Sequence, residues 1–324
     1  MARLPKNADI PMRDGVSPSC VALPRLRQSP WPTLLEFLAE RLPRIPRDEW
    51  RARLRAGEVV DDDGRALDEH TPYLHGQRVY YWRTLAEEAR IPFREVVLFR
   101  DAHLLVADKP HFLPVTPGGR YVRETLLVRL KQALGLPELS PLHRIDRETA
   151  GLVVFSVRAA ERDAYQRLFR ERRVDKIYEA IAPWRDDLAW PQRRVSHLRE
   201  DETAFYRMRE AAAEEALPPN SETWIEPLER LGPDGRYARY RLRPVTGKRH
   251  QLRVHLHALG LPIVGDQFYP VARRGPDDPE DYTQPLQLLA QVLAFDDPVT
   301  GQRRHFQSRL RLDSHNLPPA SAQA

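Results

Sequence analysis

Residues 141–156 read Pro-Leu-His143-Arg144-Ile145-Asp146-Arg147-Glu148-Thr149-Ala150-Gly151-Leu152 and continue into Val-Val-Phe-Ser. One carboxylate, Asp146, sits in a polar loop between two arginines, and the loop feeds an apolar strand. A carboxylate can attack a sugar carbon and hold a covalent glycosyl adduct, which splits one hard step into two. To do so it must stay ionised and be aimed. Neighbouring cations lower its pKa and hold its geometry, and Arg144 and Arg147 are the local candidates. By itself, His-Arg-x-Asp also fits a surface turn with a capping Asp.

Two further stretches offer partners. Lys176-Ile177-Tyr178-Glu179-Ala180-Ile181 reads as a strand. Alternation puts Lys176, Tyr178 and Ala180 on one face and Ile177, Glu179 and Ile181 on the other. A tyrosine facing a cleft can stack on a pyrimidine, and its hydroxyl can serve in proton transfer. A core tyrosine fits the fragment as well. The second stretch is Arg243-Pro244-Val245-Thr246-Gly247-Lys248-Arg249-His250-Gln251-Leu252-Arg253-Val254-His255. Thr246 is expected to cap a helix that starts near Lys248, with Gly260 and Pro262 ending it. Leu252, Leu256 and Leu259 form its buried stripe. The helix N-terminus and the Lys248 ammonium together make an anion site, for the Asp146 carboxylate, a phosphate or both. His250, His255 and His257 lack the i,i+4 spacing of a helical zinc pair, so no metal is expected.

Together these stretches resemble the pseudouridine synthases of the RluA type. The loop resembles that family's His-Arg-Leu-Asp-x-x-Thr-Ser-Gly-Leu signature, with Ile145 for Leu and Ala150 for Ser. Lys176-Ile177-Tyr178 is similar to its Lys-x-Tyr motif. Residues 246–255 are similar to Thr-Gly-Arg-x-His-Gln-Ile-Arg-x-His and continue into Gly265-Asp266-x-x-Tyr269, with Lys248 where the family usually has Arg. One ammonium cannot form a bidentate fork, so a point-charge role is expected of it. Asp108-Lys109-Pro110 is a fourth match. Leu288-Leu289-Ala290 and Asp297-Pro298 depart from the usual Leu-His-Ala and His-Pro, outside the core motifs.

The resemblance implies an α+β fold, with a mostly antiparallel mixed sheet around a central cleft. It implies isomerisation of uridine to pseudouridine within an RNA chain, with the target base out of its stack. Asp146 would be the nucleophile, Tyr178 the stacking and proton-handling residue, and Lys248 the counter-ion of Asp146. His143, Arg144, Arg147, Arg249, His250, Gln251 and Arg253 would contact RNA. The reaction needs no cofactor. Ribosomal RNA of the large subunit is the favoured partner and tRNA the alternative. Two rival classes are a non-catalytic RNA-binding protein of the same fold and a glycoside hydrolase. The latter needs a second carboxyl about 5–9 Å away, and Glu148 and Asp266 are the acids near the motifs.

Residues 1–30, rich in Pro, Ser and Arg, are expected to be a disordered arm. Residues 31–83 carry helical spacing at Leu34, Leu35, Phe37, Leu38 and Leu42, then a helix over 46–56 stopped by Gly57, then short strands. Two short helices before a small sheet resemble the S4-type RNA-binding module, in which Arg51 and Arg55 would meet phosphate. A linker at 84–94 leads to a catalytic domain over 95–313, and 314–324 is a tail. Within the catalytic domain, strands are expected at 96–99 and 104–107, helices at 122–134 and 159–172, and a hairpin over 224–243 with Pro227 at an edge. Residues 185–222 give no clear pattern.

Composition sets the outer bounds. The 324 residues suggest about two domains. A net charge of +5 favours polyanion partners. Five lysines, Lys6, Lys109, Lys131, Lys176 and Lys248, stand against 46 arginines, and three of the five fall inside the motifs. Cys20 is the single cysteine, so an internal disulfide and a cysteine-based zinc site are excluded. No apolar run reaches the length of a membrane span, and a monomer in a reducing, cytoplasmic setting is expected.

Overall fold

The computed structural model describes residues 10–83, 88–204, 206–273, 275, 278–314 and 317. Most of the expected tail, and residues 1–9 and 84–87 of the arm and linker, lie outside these. The chain packs as two units. One holds residues up to 89 with 117–123 and 128–137, and the other holds 90–116, 124–127 and 138 onward.

The first unit begins with β1 (Ser19–Ala22), followed by α1 (Leu34–Arg41), α2 (Arg47–Arg55), β2 (Val59–Val60) and β3 (Arg78–Tyr81). Leu34, Leu35, Phe37 and Leu38 of α1, with Trp50 and Leu54 of α2, bury against Val59, Val79 and Tyr81 of the strands. Gly57 follows α2 in the left-handed conformation that suits a helix-terminating glycine. Part of the expected arm is instead structure. β1 pairs antiparallel with β3, so the sheet order is β1-β3-β2. Ile10, Val16 and Leu23 are buried, which gives a proline-rich stretch enough apolar anchorage to stay in place.

The second unit is a large sheet. Its first strands are β4 (Val96–Arg100) and β5 (Leu104–Lys109). After α3 (Leu126–Leu134), of which 128–134 belong to the first unit, come β6 (Ser140–Pro141), β7 (Ala150–Ser156), α4 (Arg162–Arg170) and β8 (Asp175–Pro183). The unreadable segment 185–222 contains β9 (Gln192–Ser196), β10 (Leu198–Glu200) and β11 (Met208–Glu210). Then follow β12 (Ser221–Leu231), β13 (Tyr237–Pro244), α5 (Gln251–Ala258), β14 (Leu288–Asp296) and β15 (Arg303–Gln307). α3 starts later than its apolar spacing suggests, because the Leu126 and Leu127 N–H groups donate to the Pro114 and Val115 carbonyls instead of closing a turn onto 122 and 123.

The strand order is β4-β5-β7-β14-β8-β13-β12-β9, with β6 on β7 and β15 on β14, and β10 pairs with β11 alone. The β7–β14 pair is parallel and the other pairs are antiparallel. The β7–β14 contact fixes Gly151: a Cβ there would lie 2.4 Å from the Ala290 carbonyl oxygen, and its φ is +110°. β12 and β13 form the expected hairpin. β12 is not an edge strand, but β9 pairs only with its residues 221–225, so at Pro227 the missing N–H breaks no second ladder. α5 lays Leu252 and Leu256 on Ala180, Tyr240, Leu242 and Leu288. Tyr165 and Leu168 of α4 pack with Leu152, Val154, Leu293 and Phe295. Central strands β7, β8 and β13 thereby end beside one another at the loops that carry the motifs.

Candidate active site

Asp146 lies in the loop between β6 and β7. The backbone on its far side is held from the core. Lys109 is buried at the end of β5, and its Nζ donates to the carbonyls of Pro110 and Arg147, both at 2.9 Å. His111 Nδ1 meets the Glu148 carbonyl at 2.8 Å. Arg147 is turned away from the cavity floor, into ion pairs with Glu148 and Glu280. Burial pulls the Lys109 amine down to about 7, against the attraction of Glu148 and Asp146. A neutral amine keeps two N–H groups, enough for both carbonyls.

Asp146, Tyr178 and Lys248 line one cavity of about 100 Å³, together with Arg144, Lys176 and His250. It opens beside a wider one of about 990 Å³ that also touches Arg147, Arg172 and Arg249. The strand alternation read for β8 holds: Lys176 and Tyr178 face the cavity together. Burial first, then the Asp146 carboxylate, push the Tyr178 hydroxyl up, so it stays a phenol.

The counter-ion differs from the expectation. Lys248 lines the cavity but makes no ion pair with Asp146 among the described residues; Arg253 does, with Nη1 3.4 Å from Oδ2. The Arg253 side chain is 1% exposed, and its Nε and Nη2 grip both oxygens of buried Asp266 at 2.8 and 2.6 Å. Glu148 is 3.9 Å away. Burial works to raise the Asp146 pKa, but His250, Arg253 and Lys109 outweigh it and hold the carboxyl below its ordinary range. His250 is itself lowered by burial, so at neutral pH the permanent cation is Arg253. The geometry explains the choice. The helix starts three residues later than expected, at Gln251, because the Gln251 side chain clamps its own approach loop. Its Oε1 accepts from Thr246 Oγ1 and from the Lys248 N–H, and its Nε2 donates to the Glu222 carbonyl and Thr223 Oγ1. Thr246 is therefore part of that clamp and caps nothing. His250, with φ +54°, precedes the helix, and Lys248 is left on the rim. A buried arginine was the missed signal: within a helix run buried from Gln251 to Leu256, a guanidinium must find carboxylates.

Comparison with known proteins decides the family. Residues 103–258 match the RNA pseudouridylate synthase family model. An uncharacterised RNA pseudouridine synthase of Synechocystis is 31% identical over 236 residues, covering 73% of this chain and 79% of that protein. The chain belongs to the RNA pseudouridine synthase family. The dual-specificity RNA pseudouridine synthase RluA of Haemophilus influenzae is 32% identical over 214 residues, covering 66% of this chain and 92% of its own. A solved structure, human RNA pseudouridylate synthase domain containing 1, shares the fold, with TM-score 0.54 at 24% identity over 66% of this chain and 82% of its own. The activity is thus isomerisation of uridine in RNA.

In this pseudouridine synthase the remaining expected RNA contacts divide sharply. Arg144 is exposed at the cavity mouth, and its guanidinium has no protein partner among the described residues. Arg249 lines the wider cavity and reaches Glu200 and the Arg207 carbonyl. Gln251 and Arg253 are buried, and both line the narrow cavity beside Asp146. His143 lines the wider cavity, but its Nε2 accepts the Val154 N–H and its ring stacks on Phe169, while burial lowers it to about 3. His250 stacks on Phe268 and meets the Tyr269 hydroxyl at 3.0 Å. His255 is held by Ser196, Ser221 and Thr223 hydroxyls. In the first unit, Arg51 pairs with Asp48 and Glu69, and Arg55 with Glu69.

Proposed function

We propose that this enzyme makes pseudouridine in structured RNA of the large ribosomal subunit, with Asp146 as its nucleophile. One observation carries the reading: a carboxylate kept ionised by a buried arginine opens, 24% exposed, into a cavity faced by a tyrosine. The Asp146 carboxylate attacks the ribose anomeric carbon, and the bond from that carbon to N1 of uracil breaks. The detached base turns and rejoins the carbon through C5, which displaces Asp146; the C5 proton leaves to water and N1 takes one up, so product and substrate are isomers. Tyr178 stacks on the flipped base and donates a hydrogen bond as a phenol. Its raised pKa argues against a phenolate base. Lys248 and Arg144, both without protein partners for their charged groups among the described residues, meet phosphates at the mouth. No oxidant and no energy source enter the balance, so no cofactor is assigned.

Residues 31–83 are assigned as an S4-like RNA-binding module, supported by the order of two short helices and two strands. The enzyme is assigned as a cytoplasmic monomer; among the described residues no helix is long and apolar enough to cross a membrane. A second reading has tRNA as substrate; the dual-specificity name of the Haemophilus relative leaves room for more than one RNA. Pseudouridine mapping of total RNA from a deletion strain separates these. Loss of a large-subunit site, restored by the wild-type chain and not by Asp146→Asn, is expected. An unchanged map would overturn the reading, and a lost tRNA site would move the substrate.

A further inference from the structure

The catalytic cavity does not end at its mouth. Arg172, Lys176 and Val245 line both the wide cavity and a separate groove of about 520 Å³. This groove runs onto the opposite face of the sheet. Strand alternation sets that: Tyr178 and Leu242 pack toward α5, so their neighbours Ile177 and Arg243 point the other way. In β12, Ile225 is core, and the adjacent Trp224 stands out on the groove side, 42% exposed and paired in register with Arg243.

The lining has the chemistry of a single-strand track. Four cationic side chains, Arg172, Lys176, Arg243 and Arg303, stand against one carboxylate, Asp175, which Arg303 already neutralises. Arg243 pairs with Glu226 at 3.4 Å, outside the lining. Arg172 carries a guanidinium with no protein partner among the described residues, and its left-handed backbone, φ +58°, sets it at the shared corner. His305 is exposed beside it. A large exposed indole flanked by phosphate-binding groups is what unpaired bases stack on. An aliphatic floor of Ile177, Val292 and Ala294 completes the groove.

We propose that this groove holds the RNA strand flanking the target uridine, with a base stacked on Trp224 and its phosphates on Arg172 and Lys176. The flipped nucleotide occupies the Asp146 cavity, and the strand turns over the rim at Lys176 and Val245 onto the rear face. The inference rests on the active-site reading only for where the flipped base sits. The surface would select substrates with an unpaired flank.

The test uses the full chain and fluorescein-labelled oligouridylates of about 12 and about 4 nucleotides, with binding read by anisotropy. Trp224→Ala is expected to weaken the longer oligonucleotide roughly ten-fold and to leave the shorter one unchanged. Trp224→Phe, which keeps an aromatic face, should restore most of the loss. Bromouridine placed along the longer RNA should photocrosslink to the Trp224 peptide. Equal affinity of wild type and Trp224→Ala for the longer RNA overturns the proposal, as does an equal loss on both lengths. Tritium release from C5-labelled shorter RNA by wild type and Trp224→Ala, expected to be equal, reports the chemistry apart from the groove, so a failure of the groove and a failure of the chemistry give different results.

Discussion

The arginines of the first unit and those around the Asp146 cavity look alike in sequence, and the structure treats them oppositely. Arg51 and Arg55 spend their charge on Asp48 and Glu69, which sit on the same small surface. Arg144 and Arg172 have no protein partner for their guanidinium among the described residues, and Lys248 has none for its ammonium. A third kind, Arg253, is buried and committed to Asp266 and Asp146. A count of positive charge therefore says little about RNA binding. What matters is whether a carboxylate has already claimed each cation, and how deep the pair lies.

Asp146→Asn should lower turnover by at least about 10³-fold, since no other group can carry the covalent adduct. Retention of activity on ribosomal RNA in single-turnover assays would remove the nucleophile from the account. Arg253→Met should slow the reaction and also lower thermal stability by about 3–5 kcal/mol, because it leaves Asp266 charged and unpaired in the core. Lys248→Ala should leave stability within about 0.5 kcal/mol and raise KM for RNA. Thermal melts and steady-state kinetics on the same two proteins separate the buried cation from the rim cation. Tyr178→Phe keeps the stacking ring and removes the hydroxyl, so kcat should fall by less than about 10²-fold. Tyr178→Ala should fall further.

Lys109 gives a signature in pH. Its folded pKa, about 7, lies below its unfolded value of 10.5, so between these the unfolded chain binds the extra proton. Stability should rise as pH goes from about 7 toward roughly 10, and the gain is lost as pH falls back through 7. Denaturant melts of Lys109→Met should show that slope flattened. The smallest effect belongs to the first unit: Arg51→Ala and Arg55→Ala should change KM by less than about two-fold, because both cations are already paired in exposed bridges. A ten-fold rise would show that RNA displaces Glu69.

Much of this was legible before any coordinates. Period-two alternation placed Tyr178 and Lys176 on one face, and the short apolar runs gave β4, β5, β7 and the β12–β13 hairpin. What the sequence concealed follows from long-range contacts. β1 forms in a proline-rich stretch because β3 offers it an edge nearly 60 residues away. Asp146 chooses Arg253 because Gln251 delays the start of α5, and no local pattern announces a side-chain clamp on a distant strand. Arg253 and Gln251 read as RNA contacts because polar residues are expected outside; here polar partners meet them inside. β9 to β11 were hidden because charge pairs such as Arg194–Glu210 replace an apolar rhythm.

One permanent, buried cation, Arg253, keeps Asp146 charged. Tritium release from C5-labelled uridine RNA, followed in single turnover against pH, tests it in wild type and Lys248→Ala. The acid limb should lie below the ordinary carboxylate value of about 4 and stay in place when Lys248 is removed. An acid limb that climbs by about one pH unit in Lys248→Ala would return the counter-ion role to the lysine and contradict the account.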